Sequence, residues 1–417
     1  MRRILSIMLP LLSLPVALVS GAAFAADATR PDAAALESAN ALAQDAVIVD
    51  THIDAPGMLT ERWMDLGGDA PGRQFDYQKA RAGGLDVAFM SIYTSAEQDA
   101  DGSAWQTANA MIDAVEALAE RHPDKFALLR SPRDAQQLLK DDAGHTRVLL
   151  PLGMENGAPL GDDLRNVQFF FDRGVRYITL AHSAANRIAD SSYGSERKWH
   201  GLSPFGKQVV AEMNRLGIMV DVSHISDESA RAAIAASTVP VIASHSAFRH
   251  FTPGFERNIS DELAKAVADK GGVVQVPFGV PFIDAKSAAN TQAHFRAIDA
   301  FYARNAELKA AGKPEQSRDA FDKAWDAAHP PVPATLDAVL DEIDYGVKLI
   351  GVDHVGIGSD FDGVDGELPE GLRTTADFPN LVAGLRGRGY RDDDIRKILG
   401  GNLLRVWSAI EDGAAKR

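Results

Sequence analysis

Short β-rich apolar runs recur along this chain, separated by stretches whose apolar positions repeat at helical spacing. The runs are Val47–Asp54, Leu85–Thr94, Arg147–Gly157, Val175–His182, Gly217–Ser223, Val239–His245, Gly272–Phe278 and His354–Asp360. Between them lie helical patterns such as Trp105–Arg121, Leu164–Arg173, Phe205–Leu216, Asp227–Ala236 and Asp261–Lys270. Strand–helix alternation predicts a parallel sheet. Eight such units predict an α/β fold of the TIM-like (β/α)8 barrel type. An open doubly wound sheet fits less well, because no glycine-rich phosphate turn follows the first strand. No repeat of fixed period is present.

The spacing breaks once. Residues 280–334 are Ala-rich and charged, and end in Pro330-Pro331-Val332-Pro333. They predict a helical insertion between the seventh and eighth strands, either a lid over the barrel mouth or a surface hairpin without functional weight. A last helix, Asp392–Val406, is expected to pack on the outside of the barrel. Residues 1–25 have the form of a signal peptide. Arg2 and Arg3 precede an apolar stretch, and Ala23-Phe24-Ala25 is a cleavage signal. The expectation is therefore one barrel domain, 26–417, exported to a periplasm or secreted, without stable membrane insertion of the mature chain.

Composition narrows the chemistry. Hydrophobic residues make up 46% of the 417, enough for a large core. The formal net charge is −15, more negative still once the leader arginines leave, which argues against nucleic acid and anionic membrane surfaces as partners. Cysteine is absent, which excludes disulfides, thiolate metal sites and cysteine nucleophiles.

In such a barrel, function sits at the C-terminal ends of the strands. Those ends carry His52 and Asp54, Glu155, His182, His224, His245 and Asp360. Side chains of a strand alternate faces, so His52 and Asp54 are expected to point the same way. Four of the eleven histidines fall at this rim, whereas His122, His145, His200, His250, His294, His329 and His354 do not, and structural roles are expected for those seven. Three histidines, two aspartates and a glutamate are too many ligands for one tetrahedral ion and suit a carboxylate-bridged pair. Imidazole with carboxylate favours zinc, with manganese or cobalt as substitutes.

The chain resembles the membrane (renal-type) dipeptidases, metallopeptidases of the amidohydrolase-like barrels. The motifs that carry the resemblance are Asp50-Thr51-His52-Ile53-Asp54, Gly153-Met154-Glu155-Asn156-Gly157, Asp221-Val222-Ser223-His224, Ala243-Ser244-His245-Ser246 and Gly356-Ile357-Gly358-Ser359-Asp360-Phe361-Asp362-Gly363. Their order and spacing, from about Ala46 to Val406, are more specific than any one of them. The resemblance implies that His52 and Asp54 bind one zinc, that His224 and His245 bind a second, and that Glu155 bridges both. It implies a proton-transfer role for Asp360, a substrate-facing His182, and in Arg257 a substrate-binding arginine. The competing reading of Arg257 is a surface ion pair with Asp261, beside a helix capped by Ser260.

The implied activity is hydrolysis of dipeptides, some with a C-terminal D-residue, by a hydroxide held between the metals. Homodimerisation is a further family expectation. Two other functions compete: a binuclear hydrolase of lactones, cyclic amides or phosphoesters, and an exported binding protein without turnover. The insertion is longer than the family's compact form, and no lipid-anchor signal ends the chain.

Overall fold

The computed structural model describes residues 33–141, 146–194 and 197–415; the leader and His145 lie outside them. Ten strands form one sheet: β1 (Ile48–Ile53), β2 (Leu85–Tyr93), β3 (Phe126–Leu128), β4 (Val148–Leu150), β5 (Leu152–Glu155), β6 (Val175–Thr179), β7 (Met219–Asp221), β8 (Val241–Ala243), β9 (Val273–Val276) and β10 (Val355–Ile357). The ring runs β1-β2-β5-β6-β7-β8-β9-β10, and every pairing in it is parallel. It closes beyond β10, where Asp360 N donates to His52 O (3.0 Å) and Asp54 N donates to Phe361 O (2.8 Å). All eight strands read from the sequence are present, in a (β/α)8-type architecture.

The third run departs from expectation. It divides at Pro151, which has no N–H for the ladder, into β4 and β5. β4 then pairs with β3 as well as β2. The three-residue β3 is too short to leave a periodic signal in sequence.

Serine caps fix where several helices start after the strands. Ser203, Ser226 and Ser260 each accept a first-turn N–H, opening helices Pro204–Leu216, Asp227–Ala236 and Asp261–Asp269. Gly217 ends the first of these at φ 82°, a left-handed turn that glycine adopts without strain. The apolar face of that helix, Val209, Val210 and Met213, is buried against the barrel.

The C-terminal helix corrects the expectation. It is not one helix on the outside. It breaks around Gly400, where a Cβ would meet Val47 O and the Val49 side chain, and it resumes over Asn402–Ala415. Leu403, Val406, Trp407 and Ile410 share a buried cluster with Val49, Val87, Phe89, Leu149, Tyr177, Met219, Ile242 and Val273. Those eight come from six strands of the ring and from β4. A helix on the outer wall reaches only its neighbouring strands, so this one plugs the barrel end opposite the rim.

The segment between β9 and β10 holds helices Ala285–Ala310 and Arg318–Ala328. Rings hold them together: His294 stacks on Trp325 (centroids 4.8 Å apart), and Trp325 stacks on His329 (3.9 Å). The long helix is tied to a loop after β8 and to the short helix Ala96–Asp101 after β2. Gln292 Nε2 reaches Gly254 O at 3.5 Å, and Tyr302 donates to Glu97 Oε1 at 2.9 Å. β8 and β2 lie four places apart in a ring of eight, so the helix crosses the mouth. Among the described residues, no helix is long and apolar enough to span a membrane.

Candidate metal centre

The strand ends deliver their side chains by turning sharply. β1 ends at Ile53, and Asp54 already stands at the N-cap of helix Ala55–Glu61 (φ −89°, ψ 16°). The register of β1 against β2 also shifts between Asp50 and Ile53. His52 and Asp54 do face one point, but through this turn rather than through strand alternation. Asn156, His224 and Asp360 have φ of 78°, 65° and 65°. Left-handed backbone at a non-glycine residue costs about 1–3 kcal/mol and persists where surrounding structure enforces it. Here it turns the chain inward directly after β5 and three residues beyond β7 and β10.

Glu155 is the centre of the arrangement, and its two oxygens face different partners. Oε2 lies 3.3 Å from His52 Nε2. Oε1 lies 3.0 Å from His224 Nε2, 3.2 Å from His245 Nε2 and 3.5 Å from His182 Nε2. The His224 and His245 Nε2 atoms approach each other to 2.7 Å. On the other side, His52 Nε2 is 3.4 Å from Asp54 Oδ2 and 4.0 Å from Asp360 Oδ1. Three overlapping groups of donors close enough for one ion result: His52, Glu155 and His245; Glu155, His182 and His224; His52, Asp54 and Asp360.

The donor set fits cations. His52 Nε2 and Asp54 Oδ2 are buried and have no hydrogen-bond partner, a costly state that a metal ion relieves. Gly363 leaves a cradle beside them, since a Cβ there would collide with Asp54 Oδ2 and Asp360 Oδ1. Burial drives the His224 and His245 imidazoles well below the usual histidine range. The positive charges around them, Arg257 at His224 and His52 with Arg257 at His245, push the same way. Both rings are therefore neutral at physiological pH, as metal ligation requires.

At His52 burial acts in the same direction, but the Tyr177 oxygen and the Glu155 and Asp54 carboxylates outweigh it, so positive charge is favoured there. Burial would raise the Glu155 carboxyl. The positive charge favoured at His52 holds it well below the carboxylate range instead. Asp360 goes the other way, well above that range, through burial and the neighbouring Asp54 charge.

The ion-pair reading of Arg257 fails. Ser260 does cap its helix, but Asp261 accepts from Tyr345 (2.7 Å), and Arg257 is buried at the rim. Its Nη2 donates to His245 O (2.8 Å) and lies 3.0 Å from His224 Nε2; its Nη1 donates to Ser246 Oγ (3.1 Å). Its Nε is buried without a partner. His182 lies nearer the donors than a purely substrate-facing residue would. The histidines away from the rim play structural parts: His122 pairs with Asp65 (2.6 Å), His250 stacks on Tyr345, and His354 bonds Gly272 O.

Sequence reasoning missed the supports. Tyr177 OH is 2.7 Å from His52 Nδ1, and Ser91 donates to Glu155 Oε2 (3.1 Å). Ser244 Oγ lies 2.7 Å from His245 Nδ1 and donates to Asp221 Oδ2 (2.6 Å), which Thr179 also bonds (2.5 Å). With the Ser244 proton committed to Asp221, His245 Nδ1–H donates to Ser244 and Nε2 keeps its lone pair for the centre. The signal was present: Asp221 and Ser244 lie inside the motifs that carry the ligands. Ser244→Ala is expected to weaken metal binding by about 10–100-fold without unfolding the protein, measured by competition with a chromophoric chelator.

A model of the membrane dipeptidases, Peptidase family M19, matches residues 36–417. Dipeptidase tcpJ of Claviceps purpurea is 29% identical over 306 residues, 73% of this chain and 60% of that protein. Dipeptidase aclJ of Aspergillus oryzae is 29% identical over 343 residues, 81% of this chain and 70% of that protein. This chain thus spans less than two thirds of the length of the Claviceps relative. Among solved structures, the probable dipeptidase PvdM of Pseudomonas aeruginosa superposes with a TM-score of 0.77 at 28% identity, covering 92% of this chain and all of that one.

Proposed function

Because this chain belongs to the membrane dipeptidase family, Peptidase family M19, and is thereby a metallopeptidase, we propose that it is a two-zinc dipeptidase acting on free dipeptides. Substrates with a C-terminal D-residue fall within the proposal, as do manganese or cobalt in place of zinc. The observation that carries it is the division of Glu155, one oxygen toward His52 and the other toward His224 and His245. His52 and Asp54 would hold one ion, His224 and His245 the other, and Glu155 both. When bound, such a pair polarises a carbonyl and makes hydroxide available at neutral pH.

The remaining work falls to side chains. Asp360 faces the His52–Asp54 side, where it takes the proton of the attacking water and hands it to the leaving amine. A carboxyl lifted above its ordinary range suits both halves of that transfer. Burial keeps His182 neutral, so its ring N–H donates to the oxyanion that develops on the scissile carbonyl. Arg257 offers its unpartnered Nε–H to the substrate's terminal carboxylate. That grip limits the enzyme to very short peptides. The leader-like residues 1–25 support export as part of the same proposal.

Dipeptides assayed against their C-terminal amides, with and without chelator, test this reading. Free dipeptides should be cleaved about 100-fold or more faster than the amides, since an unfilled arginine site is heavily penalised. Chelation should abolish turnover and zinc should restore it. Cleavage of lactones or phosphoesters in place of dipeptides, or binding without turnover, would overturn it.

A further inference from the structure

We propose that Phe295, on the helix that crosses the barrel mouth, and Tyr193 form the wall against which the side chain of the substrate's C-terminal residue packs, selecting apolar side chains there. The proposal rests on the dipeptidase reading above, with Arg257 as the carboxylate grip.

The two rings stack, with centroids 4.0 Å apart and planes at 29°. Tyr193 brings this pair to the centre: its ring lies 5.8 Å from that of His224 and 6.3 Å from that of His182. Phe255 flanks it at 6.2 Å. Arg257 itself rests over the face of Phe282, 4.7 Å from the ring centroid. A carboxylate held by this arginine therefore sits among aromatic faces. The side chain next to that carboxylate has aromatic surface to meet.

Charge does not compete for the place. Glu256, next to Arg257 in the chain, is taken up by Arg197 and by the Asp227 N–H (2.9 Å). Burial pushes the Tyr193 hydroxyl up to about 12 against the pull of Arg257, so it stays a neutral phenol. Phe295 and Tyr193 are both only half-buried, which leaves ring surface for a ligand.

The crossing helix holds Phe295 in place rather than leaving it on a mobile arm. Gln292, Phe295 and Tyr302 fall at i, i+3 and i+10, one face of a helix. Two of the three are tied to the rim, at Gly254 and at Glu97. Arg318 of the following helix donates to the Tyr302 hydroxyl (2.9 Å) and braces the second tie. Phe295 lies between the ties, about 4.5 Å along the axis from Gln292.

Alanyl-glycine and alanyl-leucine, the latter in the configuration the wild type accepts, distinguish the wall from a bystander. Phe295→Ala should lose about tenfold in kcat/KM on alanyl-leucine, carried by KM. Its kcat, its metal content and its kcat/KM on alanyl-glycine should hold. Phe295→Leu should recover part of the loss, and Tyr193→Phe should keep the preference. Equal losses on both substrates, no loss, or a loss confined to kcat would overturn the wall and leave the dipeptidase reading standing. A wild type that cleaves neither dipeptide would bring down both.

Discussion

Glu155→Gln should empty the centre. The substitution preserves shape, and the acceptor for Ser91 can be kept by orienting the amide oxygen toward Oγ. The amide then turns an NH2 group toward His224, His245 and His182, whose Nε2 atoms lie 3.0–3.5 Å from the present Oε1. One oxygen cannot serve both sides, and the carboxylate that would best balance the two proposed ions is lost. Metal content is expected to fall from the proposed two ions per chain to below one, measured on the purified protein by elemental analysis. Turnover should fall on the order of a thousandfold or more, because water without a metal returns toward its bulk pKa. The melting temperature without metal should fall, since the charge favoured at His52 loses a carboxylate whose interactions outweigh its burial. A variant that keeps two ions and substantial turnover would remove Glu155 from the bridge.

The parts of this molecule that repeat were legible in the sequence. Each strand is a compact apolar run and each helix a periodic one, so the eight barrel strands and their rim emerged from local pattern alone. Helix ends were legible too where a serine cap marks them, as at Ser226 and Ser260. What escaped depends on distance along the chain. Tyr177 supports His52 across 125 residues, and the stack of Phe295 on Tyr193 spans about a hundred. Nothing local announces either contact.

The C-terminal helix shows the same limit from the packing side. Its apolar stripe was visible, but a stripe says that a face is buried and not against what. Trp407 meets Phe89 inside the barrel end, at 5.3 Å between ring centroids. His52 and Asp54 face one point for a reason the alternation argument missed, because it ignored the helix that starts at Ala55. Arg257 gave two readings that sequence could not separate; its burial against His245 O and Ser246 removes the surface ion pair.

Asp360→Asn should separate proton transfer from metal binding. Asp360 sits at φ 65°, a conformation that asparagine tolerates better than most residues, so the turn after β10 should survive. Its backbone tie, N–H to His52 O, is unaffected by the change. The carboxyl lies beside Asp54, whose charge helps lift it above the carboxylate range after burial has done so. Replacing it with a neutral amide relieves that repulsion, so the ion proposed at His52 and Asp54 should be retained. The amide cannot take a proton from water or deliver one to the leaving amine. The expected result is two metals per chain, KM within a few-fold of wild type, and kcat lower by about 10²–10⁴. Asp360→Ala would confound the test, since its side chain offers no local hydrogen bond to hold the left-handed turn. Asparagine kinetics near wild type would take the proton role from Asp360. Loss of a metal together with kcat would make Asp360 a ligand rather than a proton carrier. The two outcomes are distinguished by measuring metal content and rate on the same preparation.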